Sequence, residues 1–121
     1  MRVLIDAAFP TSADQIPHAA PLTLERVTSA MSDRELIERA ANEHIPVIVL
    51  LEPEIVSQAS IRALAAKKRV TLVCSSSDDP FEAETNLRHS LTSIASQVES
   101  HRGEVLWLRK DGIHAEDQKG V

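Results

Sequence analysis

The chain has 121 residues, a formal net charge of −5 at pH 7, 43% hydrophobic residues and only 2% aromatic ones. That length fits one domain. The apolar content argues against wholesale disorder, and the acidic balance argues against a protein that grips nucleic acid by bulk charge. The single cysteine, Cys74, excludes an intrachain disulfide, and no apolar run reaches the ~18 residues that span a bilayer. The first apolar run meets a carboxylate at Asp6, too soon for a signal peptide. The expectation is a soluble, cytoplasmic, reduced domain with no membrane association and a core of Val, Leu, Ile and Ala.

Residues 2–6 read as a short apolar strand ending on Asp6. Pro10, Pro17 and Pro21 break regular structure in the segment that follows, read as a loop or poorly formed helix. Residues 22–27 read as a short second strand. Ser32 with Glu35 three residues on makes a capping box, opening a helix whose Leu36, Ile37, Ala40 and Ala41 share one face. That helix must end before Pro46. Residues 47–51 are uninterrupted apolar residues, as a central parallel strand requires. Pro53 suits the first turn of a second helix, which ends at Lys67 and Lys68, where cations complement the helix dipole. Residues 70–74 are the next buried strand. Residues 75–80 form a polar loop into a long helix striped by Leu87, Leu91, Ile94, Ala95 and Val98, with Asp78 or Asp79 as its cap and Gly103 placed to stop it. Residues 104–109 read as the last strand, and residues 111–121 as a polar, frayed tail.

Strands alternating with helices predict right-handed crossovers and a parallel sheet. The expected architecture is a three-layer α/β/α sandwich with a mostly parallel sheet of four or five strands, one domain over residues 1–110. Ligands of such sheets bind outside the carboxyl ends of the strands. There the sequence puts Asp6, Glu52 and Glu54, residues 75–77, and Arg109 with Lys110; Asp33 and Glu35 open a helix at the same edge. Carboxylates converging there would hold Mg²⁺ or Mn²⁺, hard cations that prefer oxygen ligands. Such an ion activates water and stabilises the leaving oxygen in phosphodiester hydrolysis. A plainer reading stands beside this one. Ser32 and Glu35 are a cap, Asp33 and Glu54 complement helix dipoles, and Glu52 is a polar exit from a strand. Arg62, Lys67, Lys68 and Arg69 form the one dense basic patch. It reads as a solvated helix end, toward the amino end of the next strand and away from the acids. His18, His44, His89, His101 and His114 show no paired ligand spacing, and Cys74 reads as a small core residue.

The segment Val3-Leu4-Ile5-Asp6-Ala7-Ala8-Phe9-Pro10, the helix start Ser32-Asp33-Arg34-Glu35-Leu36-Ile37, and the strand Ile45-Pro46-Val47-Ile48-Val49-Leu50-Leu51-Glu52-Pro53-Glu54 occur in an order that resembles the PIN-like proteins. These are relatives of the PIN-domain ribonucleases found as toxins in bacterial toxin–antitoxin pairs. The likeness spans most of residues 1–110. It implies a PIN-like fold and a Mg²⁺- or Mn²⁺-dependent endoribonuclease with Asp6, Asp33 and Glu52 catalytic and Glu54 joining them on the metal; Arg109 and Lys110, by their place at the end of the last strand, are the cations positioned for substrate. It also implies RNA as substrate and an antitoxin or other protein partner. A homodimer is a further expectation.

Four positions depart from the family pattern. Leu50 stands where the family has Thr, Glu52 and Glu54 stand at its Asp positions, and Ala7 replaces the acid or amide after the first Asp. A glutamate is one methylene longer, and catalysis is sensitive to displacements of about 1 Å. The departures motivate an alternative, a catalytically degenerate PIN-like module acting by protein–protein contact. A lower-ranked alternative is a receiver-like signalling domain with Asp6, Ser75 and Lys110 at its strand ends. Against it, Glu52 is no normal phospho-acceptor and no closing helix follows the last strand.

Overall fold

Val47–Leu50 and Thr71–Ser75 are buried at every position, which requires cover on both faces of the sheet that holds them. The structure, a computed structural model, describes residues 1–6, 9, 22–27, 31–51 and 58–115. In chain order they form β1 (Arg2–Ile5), β2 (Thr23–Arg26), α1 (Asp33–Asn42), β3 (Val47–Leu50), α2 (Ala59–Lys68), β4 (Thr71–Ser75), α3 (Pro80–Ser100), β5 (Val105–Arg109) and β6 (Gly112–Ala115). They make one six-stranded sheet in the order β2-β1-β3-β4-β5-β6. The first five strands pair in parallel, and β6 returns antiparallel on β5. The expected α/β class and mostly parallel sheet hold. No described helix is long and apolar enough to cross a membrane.

Strand alternation divides the core in two. Val3, Ile5, Val47, Val49, Val73, Leu106 and Leu108 face one side, where Ala83, Leu87, Leu91, Ile94 and Val98 of α3 cover them together with Phe9. Leu4, Ile48, Leu50, Leu72 and Cys74 face the other, under Leu36, Ile37 and Ala40 of α1 and Ile61 and Ala65 of α2. The capping box of α1 forms as its sequence predicts. Ser32 Oγ accepts the Glu35 N–H at 3.2 Å, and the Ser32 N–H donates to Glu35 Oε1 at 2.9 Å. Asp79 caps α3, its Oδ1 accepting the Phe81 N–H at 3.0 Å.

Two expectations need correction. The crossovers are not all right-handed. β3 to β4 and β4 to β5 are steps in the same direction across the sheet, yet α2 lies on one face and α3 on the other. The two crossovers therefore have opposite hands, against a right-handed rule obeyed in about 98% of cases. The compensation is burial, since α3 covers the inward row Val73, Leu106, Leu108 and Ile113. The chain also makes more sheet than expected. Arg109 was the predicted end of the strands, but Gly112–Ala115 form β6, paired from Arg109↔Gly112 to Leu106↔Ala115. Ile113, 7% exposed, is the apolar residue that seats it. The proposed start of the second helix at Pro53 and the tail from residue 116 lie outside the described residues.

Candidate functional site

In a sheet ordered 2-1-3-4-5 the connections leave β1 and β3 in opposite directions, and the crevice outside their carboxyl ends is the natural ligand position. Asp6 stands there. Its N–H donates to the Val49 carbonyl at 2.9 Å, extending the β1–β3 ladder by one bond, and its carbonyl accepts the Phe9 N–H at 3.2 Å. One carboxylate oxygen, Oδ2, accepts the Leu51 N–H at 3.2 Å across the switch point. A main-chain donor from β3's end thus orients the carboxylate that follows β1.

Asp33 occupies the first turn of α1, at the same edge, because α1 leaves the carboxyl end of β2 and runs back toward the amino end of β3. Continuing the alternation of β1 puts Asp6 on the side of Leu4, the face that α1 covers. Asp33 also borders a small, mainly apolar recess that Leu36, Ile37 and Leu50 line beneath it. Leu50 is 3% exposed, so the position held by Thr in the resembled family points into the core here. Glu52 and Glu54 lie outside the described residues. Among the described residues, no group of three or more His, Cys, Asp or Glu side chains is arranged to hold a metal ion. The described part of the candidate centre is Asp6 and Asp33.

Arg109 and Lys110 are exposed at the turn between β5 and β6, on the same edge. Three inter-strand steps separate β5 from β1, which is about 14 Å. They stand apart from the acids, at a distance where they would meet a different part of an extended substrate. Ser75 is spent locally. Its hydroxyl donates to the Ser77 carbonyl at 2.7 Å and accepts the Ser77 N–H at 3.1 Å. Ser77 Oγ in turn accepts the Asp79 N–H at 3.1 Å. These nested turns deliver the cap of α3, which agrees with the reading of residues 75–80 as a polar loop.

Sequence reasoning passed over Phe81, which is 71% exposed at the start of α3 on this edge. The signal was present. Phe81 falls off the helical stripe of Ala83, Leu87, Leu91 and Ile94, and large apolar residues off such a stripe face solvent.

On the opposite edge, Arg2 ties three elements together. Its Nε and Nη2 donate to Glu25 at 2.6 and 2.9 Å, Nη2 also reaches Glu43 Oε1 at 3.0 Å, and Nη1 donates to the Glu43 carbonyl at 2.7 Å. Glu25 is held below its ordinary carboxyl range by the Arg2 hydrogen bonds. Glu43 is held below it first by Arg39 and then by Arg2. This network is structural, clamping β1, β2 and the end of α1. No protein-family model, curated protein or solved structure matches this chain.

Proposed function

We propose that the chain is a PIN-like, Mg²⁺- or Mn²⁺-dependent endoribonuclease whose centre is the carboxyl edge between β1 and β3. The observation that carries the reading is the placement of Asp6 at the switch point with its carboxylate oriented by the Leu51 N–H. Asp33 on the same edge and the motif order of the sequence support it. In this reading Asp6, Asp33 and Glu52 would hold the ion with Glu54 in support, and a bound ion there would supply an activated water for phosphodiester hydrolysis. Arg109 and Lys110 take a phosphate of the chain some 14 Å away.

A second reading is a partner-binding module that has lost this chemistry. It is favoured by the inward-facing Leu50 and by the exposed Phe81 on the same edge, and its partner would be an antitoxin-like protein or a second copy. Calorimetric titration with Mn²⁺, beside cleavage of single-stranded RNA, separates the two. Binding and cleavage that both vanish in Asp6→Asn and Asp33→Asn establish the nuclease. Absence of both in the folded wild-type protein refutes it in favour of the module.

A further inference from the structure

The amino edge of the sheet carries a hollow that the acid site does not use. It has a volume of about 340 Å³ and is lined by His44, Lys68, Arg69 and Arg102 together with the partly exposed Ala41 and Pro46. Small-ligand sites begin at about this size. The basic residues reach it from three places: the end of α1, the end of α2 and the loop after α3. Among the described residues, neither Lys68 nor Arg69 meets a carboxylate. In a chain of net charge −5, that concentration of cations is local.

Two features show that the hollow is built. The first is backbone conformation. His44 (φ 59°) and Arg69 (φ 58°) are the only non-glycine residues at positive φ among those described, and both line this hollow. Each closes its helix with paired bonds: His44 N–H to Ala41 and Ile45 N–H to Ala40, then Arg69 N–H to Ala66 and Val70 N–H to Ala65. This closure favours glycine, because a Cβ is strained in the left-handed region. Helix dipoles account for Lys67 and Lys68, which need no such conformation. They do not account for a basic side chain at the glycine position of two helices facing one hollow.

The second feature is Arg102. Its Nε and Nη2 both donate to the Arg69 carbonyl, at 3.1 and 2.9 Å. A guanidinium has five N–H donors, so its remaining donors stay available on a side chain already held in place. Gly103 makes the approach feasible. At φ +78° it packs so closely on α2 that a Cβ would come 3.3 Å from Ala66 Cα and carbonyl oxygen.

We infer that this hollow binds a small phosphorylated molecule. Arg69, Arg102 and Lys68 take the phosphate, and the partly exposed Ala41 and Pro46 meet its apolar body. The site is separate from the proposed nuclease centre. The test uses phenyl phosphate and inorganic phosphate as probes, followed by amide-resolved NMR at low salt. Phenyl phosphate should bind saturably with shifts at residues 44, 69 and 102, and about threefold tighter than inorganic phosphate because its ring meets Ala41 and Pro46. Arg69→Asn keeps the left-handed turn and removes the charge, and should weaken binding about tenfold or more. Arg69→Gly should weaken it likewise while raising Tm by a few degrees. Asp6→Asn should leave it unchanged. The inference is overturned if neither probe binds saturably, if Arg69→Asn binds normally, or if Arg69→Gly melts lower than wild type. Displacement of phenyl phosphate by lower concentrations of a short single-stranded RNA would overturn it in favour of a nucleic-acid track.

Discussion

Replacing Thr71 by Val tests whether one buried hydroxyl holds the loop that delivers Arg102. Thr71 is fully buried. Its Oγ1 donates to the His101 carbonyl at 3.1 Å and accepts the Gly103 N–H at 3.1 Å. Valine keeps the shape and loses both bonds. The His101 carbonyl retains the Glu104 N–H at 3.1 Å, so the Gly103 N–H is the group that loses its partner. An orphaned, partly buried donor costs about 1–3 kcal/mol, so we take about 2. Unfolding entropy of about 2.1 cal/mol/K per residue makes that about 8 °C in Tm for a chain of this length. Thr71→Ser keeps the hydroxyl and drops a methyl, at about 1 kcal/mol or 4 °C. Thermal melts by circular dichroism should therefore rank wild type above Ser above Val, with faster amide exchange at Gly103 in the Val variant. A Val variant that melts at or above the Ser variant would refute the reasoning, because shape and apolar area would then outweigh the hydrogen bonds.

Two further outcomes follow from bonds described above. Asp6→Ala should lower the urea midpoint by the equivalent of about 1–3 kcal/mol through the orphaned Leu51 N–H, while Asp6→Asn, which keeps an acceptor oxygen, should lose less; equal losses would mean that the bond does not orient the side chain. Because Glu25 and Glu43 are held below the ordinary 4.5, the stability they contribute is present above that value and is lost as pH falls through their lower folded values. Denaturation midpoints should therefore drop on acidification in the wild type and less steeply in Arg2→Met; parallel curves would contradict the assignment.

What the sequence disclosed was short in range or periodic. The Ser32–Glu35 box is closed by residues three apart, so it is visible without the fold. The stripe of α3 is visible through its period. The hand of the β4–α3–β5 crossover is not, for a definite reason. β4 is buried at every position, so it lacks the apolar–polar alternation that would say which face its next helix must cover. Strand β6 is hidden because Ile113 is its one buried residue; its pairing is dictated by β5 rather than by its own pattern. Asp6 was legible because the strand-end rule needs only the boundary of an apolar run. The basic hollow was half legible. Lys68 and Arg69 stand in one run, but His44 joins them only through the closing turn of α1 and Arg102 only through the loop after α3.

The helix dipole gives a baseline for deciding which charges call for a ligand. The described helices all run from the carboxyl edge of the sheet to its amino edge, so each has its positive end beside the candidate centre and its negative end beside the hollow. Asp33 and Glu35 in the first turn of α1, Glu82 in that of α3, and Lys67 and Lys68 in the last turn of α2 are what those dipoles favour. None of them singles out a ligand. Asp6 follows a strand and meets no helix end in β1; Arg102 arrives past the end of α3, with its guanidinium on another residue's carbonyl. His44 and Arg69 occupy turns that glycine would close with less strain. These four residues carry charge or strain beyond what the dipoles explain. One falls at the carboxyl edge and three at the amino edge, which is why the two ends of the sheet are assigned separate chemistry.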